Sequence, residues 1–324
     1  MPSGIRVNAF PEQPEEQEQE QEQEENGLDS SGVPLPGASA AFGTTPESSS
    51  PLVVVDATVN DAIVSDGRQQ ETGSAVIEAQ RDPAWNGLDV LRLTFIAIVA
   101  LFVGVFAVLL AVHFGLRPHS SLGSLARVPL VVVAGQALSY LLVLGYMYVL
   151  VTRERGRPDF LTALHWNWPR TIAPYLLGGV TLSLALQLLA HVLPMPKNLP
   201  IDTFFTTPAE AWALTIFGVT LAPLMEELFF RGFLYPVLAR GIGMTAAIFV
   251  TAFAFAMLHG SQLRFSWGPV LVIFLVGTVL TMVRAYKNSV AAGLVIHIAY
   301  NGSLSFLMFI GTDGFRHLEK LSSQ

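Results

Sequence analysis

Two adjacent acids, Glu226 and Glu227, lie inside an otherwise apolar stretch of the sequence. An acidic group at the centre of a membrane-spanning helix costs roughly 2.5–3.5 kcal/mol on insertion scales, so it is by default a candidate functional group. Neighbouring residues of an α-helix point about 100° apart, so the two acids cannot share one partner equally. Arg231 lies four residues after Glu227, on the same helix face. The spacing predicts that Arg231 neutralises Glu227 as structural support and leaves Glu226 free for chemistry; the alternative is a purely structural ion pair with a spare acid.

Three further polar residues are predicted to reach the depth of Glu226. If the chain reverses at residues 241–243, Glu226 lies 16 residues before Ile242 and His259 lies 17 after it. Both residues are then about 24–26 Å from the turn. His297 and Asn301 are four residues apart on the last apolar run and therefore project from one helix face.

Such a cluster could hydrolyse a peptide bond in either of two ways. Glu226, with His259, could deprotonate a water molecule for attack on the carbonyl, while His297 and Asn301 donate hydrogen bonds to the oxyanion. Alternatively, Glu226, His259 and His297 could hold a divalent metal such as zinc that activates the water. The spacing does not separate these mechanisms, so the cofactor is either such a metal or none.

The elements that must position these residues are membrane-spanning helices. The chain is 52% hydrophobic and 13% charged, which is typical of a membrane protein. We therefore predict an all-α, polytopic transmembrane bundle of about seven to eight spans. The seven apolar runs are 93–115, 128–151, 171–193, 211–240 with a break near Pro223, 244–259, 268–284 and 289–310.

Charge is segregated along the chain. Residues 1–89 hold 17 acidic and 3 basic residues, whereas 90–324 hold 8 and 15. Because the first segment is rich in Glu, Gln, Pro and Ser, we predict a disordered acidic tail at 1–89. The remaining predicted regions are two helices and a basic loop at 90–170, a catalytic membrane domain at 171–311 and a short tail at 312–324.

The strongest basic loop contains Arg153, Arg155 and Arg157, with Arg170 beyond it. The positive-inside rule places this loop and the amino terminus in the cytoplasm. We expect a multi-pass protein of the plasma membrane. Its partners would be the lipid bilayer and a membrane protein or lipidated peptide as substrate, with no nucleic acid.

The motifs Glu226-Glu227-x-x-x-Arg231, Phe255-x-x-x-His259 and His297-x-x-x-Asn301 resemble those of the CAAX-protease and bacteriocin-processing (Abi) family of intramembrane endopeptidases, which includes the type II CAAX prenyl endopeptidases. The resemblance covers about residues 170–311. It implies that Glu226 is the catalytic base, Glu227 a supporting acid, His259 the partner in water activation, and His297 with Asn301 the oxyanion-stabilising pair. The family is described both as metalloproteases and as glutamate-dependent enzymes, so this likeness leaves the metal question open.

Other protease chemistries lack their signatures. The sequence contains no His-Glu-x-x-His, no Gly-x-Ser-x-Gly, no cysteine and no aspartate within the apolar runs. We therefore expect an intramembrane endopeptidase, with CAAX-type processing at a carboxyl terminus as the candidate reaction. The alternatives are a proton- or ion-coupled transporter, for which no internal repeat is found, and a non-catalytic membrane scaffold or immunity protein.

Overall fold

The computed structural model describes residues 83–196 and 199–321, and every regular element within these ranges is helical. The seven principal helices are α1 (Gly87–Gly115), α2 (Pro129–Glu154), α3 (Ala173–Ala190), α4 (Pro208–Ile242), α5 (Met244–Leu258), α6 (Trp267–Lys287) and α7 (Val290–Gly311). All except α5 are long and apolar enough to cross a membrane. The prediction of an all-α, multi-pass membrane bundle is thus confirmed.

Helix α5 is shorter than the other six and ends just before His259. Its 15 residues span about 22 Å, which is less than the roughly 30 Å hydrocarbon core of a bilayer. A 3₁₀ turn, Gly260–Leu263, follows it directly. His259 therefore lies where the helix ends and not within a continuous span.

Short helices lie between several of the spans. They are Leu122–Leu125, Phe160–Ala163 and the 3₁₀ turn Pro200–Phe204; a further 3₁₀ turn, Leu318–Leu321, follows the last span. Hydroxyl and carboxylate side chains cap the first two: Ser121 accepts from the amide of Ser124, and Asp159 accepts from that of Thr162.

The outer surface of the bundle is strongly apolar. On α1, Phe95, Phe102 and Phe106 are each more than half exposed. Exposed phenylalanines at this density would be a liability in water, but they suit contact with lipid chains.

Two pairs of helices approach so closely that only small residues fit. A β-carbon added to Gly179 of α3 would lie 2.4 Å from the carbonyl oxygen of Ile296 on α7. One added to Gly135 of α2 would lie 2.7 Å from the Cα of Val105 on α1. Small residues at such crossings give the van der Waals contact that drives association of helices in membranes.

The last residues of the segment assigned to the acidic tail are part of the described structure. Helix α1 begins at Gly87, and Asn86 caps it by accepting from the amides of Leu88 and Asp89. The preceding Trp85 is 1% exposed, and its indole N–H donates to the carbonyl of Phe233, 3.1 Å away. The residues just before the predicted boundary at residue 89 thus pack against the bundle. The rest of that tail, residues 1–82, lies outside the described residues.

The predicted basic loop takes part in internal ion pairs. Arg155 donates to the carboxylate of Asp89, which is 1% exposed, and Arg92 pairs with Glu154 at 3.1 Å. These contacts join the start of α1 to the end of α2.

The segment after this loop supports the turn between α6 and α7. The Asn167 side chain donates to the carbonyl of Asn288 at 2.8 Å, and the amide of Val290 donates to the carbonyl of His165 at 3.0 Å. Leu164 is fully buried beside Gly232. The loop between α2 and α3 thus fixes the beginning of α7, the helix that carries His297 and Asn301.

At the other end of the chain, the predicted tail at 312–324 also starts with packed residues. Phe315 is 1% exposed, and its ring lies 5.2 Å from that of Trp212 on α4 and 5.3 Å from that of Phe309 on α7. The turn after α7 therefore covers the start of α4.

Candidate active site

Helix α4 carries the two acids on a stretch that departs from regular α-helix. An α-helical segment ends at Val219, a second one covers Leu221–Glu226, a π-helix covers Glu227–Leu234, and an α-helix resumes over Tyr235–Ile242. π-Helical turns are rare and are found frequently at functional sites.

The predicted break near Pro223 lies at Thr220 in the structure. Thr220 has φ −116° and ψ −78°, outside the usual helical values. Pro223 has no N–H to donate to the carbonyl of Val219, and a proline disturbs the turn that precedes it. The proline therefore breaks the helix three residues before its own position.

Glu227 and Arg231 form the predicted ion pair. The Arg231 Nη1 to Glu227 Oε1 distance is 2.9 Å, and both side chains are 0% exposed. Arg231 also donates through Nη2 to the carbonyl of Gly277 at 3.0 Å and through Nε to the hydroxyl of Thr281 at 3.3 Å. Because hydrogen-bond acceptors surround the Arg231 guanidinium on several sides, the ion pair with Glu227 can remain charged although it is buried away from water.

His297 lies between the two acids. Its Nδ1 is 2.9 Å from Glu227 Oε1, and its Nε2 is 3.6 Å from Glu226 Oε2. A carboxylate can only accept, so the short contact assigns a proton to Nδ1 and turns Nε2 toward Glu226. The two acids do share one partner, but unequally and through different nitrogens of its ring.

His259 faces the other oxygen of Glu226. Its Nε2 lies 3.8 Å from Glu226 Oε1, and its Nδ1 lies 2.8 Å from the carbonyl oxygen of Phe255. A carbonyl oxygen can only accept, so Nδ1 carries the proton and Nε2 is directed at the acid. Distances of 3.6–3.8 Å exceed a direct hydrogen bond and suit a bridging water.

Exposure separates the members of this cluster. The Glu226 side chain is 13% exposed and that of His259 is 20% exposed, whereas Glu227 and His297 are at most 4% exposed. The free acid and the histidine at the end of α5 are therefore the groups that a water molecule or a substrate can reach.

Asn301 contacts the backbone of α4. Its Nδ2 donates to the carbonyl of Gly218 at 2.7 Å, just before the break at Thr220. One of its two N–H groups is thus engaged in holding α4 against α7. The second N–H remains for another acceptor.

The spacing rules assigned no role to Phe255, whose ring is central to the cluster. The Arg231 guanidinium carbon lies 4.7 Å from the centroid of this ring, and the imidazoles of His259 and His297 lie 4.8 and 5.9 Å from it. Phe255 is 2% exposed. The ring of Phe255 therefore separates the Arg231 side chain from the two histidines. Its position four residues before His259 is the sequence feature that could have indicated this role.

Gly293 provides the space for the buried acid and was not singled out from the sequence. A β-carbon at this position would lie 2.7 Å from Glu227 Oε2. That oxygen is buried and has no hydrogen-bond donor among the described residues. Gly293 lies four residues before His297, so one face of α7 provides both the gap and the imidazole.

We expect Gly293→Ala to displace the Glu227 carboxylate and to lower the free energy of unfolding by about 1–3 kcal/mol. The matched control is Gly302→Ala on the same helix, where the nearest atom to the new β-carbon is 3.8 Å away. Thermal unfolding of both variants in detergent measures the difference. Equal midpoints for the two variants would show that Gly293 is not required to accommodate Glu227.

The residues that could hold a metal are Glu226, His259 and His297, since both Nε2 atoms face the acid. However, within residues 83–196 and 199–321 no group of three or more His, Asp or Glu side chains has the arrangement of a metal site. The donor types suit zinc, but the positions do not form its ligand shell, so no step below is assigned to a metal.

The comparison with known proteins finds one match, and it covers the stretch that carries this cluster. Residues 208–303, from the start of α4 into α7, match the family described as type II CAAX prenyl endopeptidase Rce1-like. No curated protein and no solved structure matches the chain significantly. The matched range contains all six predicted site residues: Glu226, Glu227, Arg231, His259, His297 and Asn301. This stretch of the membrane bundle is therefore similar to the Rce1-like family of type II CAAX prenyl endopeptidases.

Proposed function

We propose that the chain is an intramembrane endopeptidase in which Glu226 removes a proton from the attacking water. One observation carries this proposal: Glu226 is the partly exposed acid of the pair, and an imidazole Nε2 lies 3.6–3.8 Å from each of its oxygens. Glu227 already has a buried cationic partner. Glu226 is therefore available to accept a proton from water, whereas Glu227 is engaged by Arg231.

In the proposed reaction, Glu226 accepts a proton from water while the water oxygen bonds to the peptide carbonyl carbon. His259 Nε2 fixes the position of this water by accepting its other proton in a hydrogen bond. When the carbon–nitrogen bond breaks, Glu226 returns the proton to the leaving nitrogen. The products are a carboxylic acid and an amine.

The oxyanion needs donors that are in place before it forms. When His297 carries a proton on both nitrogens, Nε2 becomes such a donor, and its Nδ1 contact with Glu227 supports the charged ring. The second N–H of Asn301 is the other candidate donor. Glu227 then acts through His297 and does not itself touch the substrate.

We assign the substrate to the peptide class that the family name indicates, the carboxyl-terminal segment of a lipidated or hydrophobic membrane-associated protein. Glu226 and His297 lie on helices long and apolar enough to span a membrane, and the outer surface of the bundle carries many exposed apolar side chains. A peptide anchored by a lipid or by apolar side chains is concentrated there by the bilayer.

The test uses the chain purified in detergent, with farnesylated and unmodified peptides of one sequence and a strong zinc chelator in parallel samples. We expect cleavage of the farnesylated peptide with and without chelator. Loss of cleavage in chelator that is restored by Zn²⁺ would replace water activation by Glu226 with a metal mechanism. No cleavage of either peptide under any condition would contradict the assigned substrate class.

We also propose that the amino-terminal end of α1 faces the cytoplasm. Because the chain has no cysteine, a single introduced cysteine is its only thiol, and labelling of that thiol reports on which side of the membrane the position lies. Gly241 and Gly123 lie at opposite ends of the bundle and are a matched pair: both are exposed, and no atom lies within 4 Å of an added β-carbon.

In intact bacterial cells, a membrane-impermeant maleimide is expected to label Gly123→Cys, between α1 and α2. Gly241→Cys, at the turn between α4 and α5, is expected to react only after permeabilisation. The opposite labelling pattern would invert the proposed orientation.

A further inference from the structure

The π-helix that begins at Glu227 leaves one main-chain carbonyl without its regular donor. Its bonds run from an N–H to the carbonyl five residues earlier, as in the bond from the Tyr235 amide to the carbonyl of Phe230. The next bond in this register would run from residue 236 to the carbonyl of Arg231. Residue 236 is proline and has no N–H to donate.

Arg284 of α6 provides the missing donor. Its Nε lies 3.1 Å from the carbonyl oxygen of Arg231, and the contact is buried. The side chain is 4% exposed and is held at two further points: Nη1 donates to Asn288 at 2.6 Å, and the guanidinium lies over the ring of Tyr235 at 5.7 Å. A buried carbonyl left unpaired is costly, so this bond from Arg284 stabilises the π-helix.

The residue bonded in this way is the one on which the acid cluster depends. The Arg231 side chain holds Glu227, and Glu227 holds Nδ1 of His297. A shift of the Arg231 backbone would therefore move the guanidinium, the carboxylate and the imidazole in turn. Arg284 reaches this chain of contacts from α6 through the main chain of Arg231.

We propose that Arg284 is a positioning residue of the active site. Its side chain donates to the Arg231 carbonyl the hydrogen bond that Pro236, without an N–H, cannot donate, and this bond fixes the π-helix. The inference rests on the proposed function for its effect on catalysis, but its structural part can be measured without substrate. Arg284 lies outside the three motifs that define the candidate site.

Arg240 is the matched control. It lies on α4, is itself exposed, and also donates to main-chain carbonyls, those of Pro83 and Trp85, at 2.9 and 3.1 Å. It lies beyond the π-helix. Arg240→Met therefore removes the same charge and a similar number of hydrogen bonds without removing the donor to Arg231.

The experiment measures amide hydrogen exchange by mass spectrometry in peptides that cover 227–235. Arg284→Met is expected to speed exchange there about tenfold relative to Arg240→Met. Arg284→Lys, which keeps the charge and a single donor, is the second variant in case Arg284→Met does not fold, and it is expected to give an intermediate rate. Adding Pro236→Ala, which supplies a main-chain N–H, is expected to slow exchange again in either Arg284 variant.

Cleavage of the farnesylated peptide provides the second readout. We expect Arg284→Lys to lower kcat at least several-fold with KM unchanged, and Pro236→Ala to recover part of that loss. Equal exchange in the Arg284 and Arg240 variants, or faster exchange that Pro236→Ala leaves unchanged, would overturn the proposal. If the wild-type chain cleaves no peptide, the proposed function fails, while the exchange rates still decide whether Arg284 fixes the π-helix.

Discussion

Replacing Glu226 with glutamine is expected to lower kcat/KM for peptide cleavage by about 10²–10⁴-fold and to leave the fold intact. Glutamine has the shape of glutamate and can take the same place beside the two imidazoles, but it cannot take a proton from water. Glu226 has no buried cation that would be left unpaired, since Arg231 bonds to Glu227. The loss should therefore appear in activity and not in the unfolding midpoint.

The control for this experiment is Glu154→Gln, the same chemical change at an exposed acid on the bundle surface. Both variants are purified in parallel and assayed with the same peptide, together with a thermal unfolding scan. If Glu226→Gln cleaved the peptide as fast as Glu154→Gln did, Glu226 would not be the base. An inactive Glu226→Gln protein with a much lower unfolding midpoint would instead assign Glu226 a structural role.

The sequence alone predicted the contacts that depend on helical spacing. A separation of four residues predicted the Arg231 to Glu227 ion pair, which is observed at 2.9 Å. Counting residues from the turn at 241–243 placed Glu226 and His259 at equal depth, and their side chains lie 3.8 Å apart. Such arithmetic works because each helix rises by a nearly constant distance per residue, even where one of its turns is π-helical.

Contacts that depend on backbone irregularity were not predictable in the same way. Nothing in the spacing indicates that α4 becomes π-helical at Glu227 or that its break lies at Thr220. The rotation of His297 that lets one ring meet both acids depends on where α7 is held against α4. That position is set by long-range packing at Gly179 and Gly293, and a single sequence does not encode it as a local pattern.

The same limit applies to residues beyond the motifs. Trp85 was assigned to an acidic tail by composition, yet it is buried against Phe233 at the end of the π-helix. Asn301 was predicted to act with His297, and its observed bond is to the carbonyl of Gly218. Composition describes a segment as a whole and does not identify a single aromatic side chain, such as Trp85, that packs in the core.

Arg231→Ala is expected to destabilise the chain by about 3–5 kcal/mol, the largest loss of stability among the site residues. The substitution leaves Glu227 charged in a position that is 0% exposed. It also removes the donors to Gly277 and Thr281 and the cation over the ring of Phe255. The measurement is the midpoint of thermal or SDS-induced unfolding in detergent.

Two comparisons determine whether the uncompensated charge causes this loss. Arg92→Ala breaks an ion pair whose arginine is 47% exposed and should lower the unfolding midpoint far less than Arg231→Ala does. The double change Glu227→Gln and Arg231→Met removes both charges together and should recover much of the stability lost in Arg231→Ala. It should nevertheless remain poorly active, because the carboxylate that orients His297 is gone. If the double variant were as unstable as Arg231→Ala, packing of the arginine and not its charge would be the stabilising contribution.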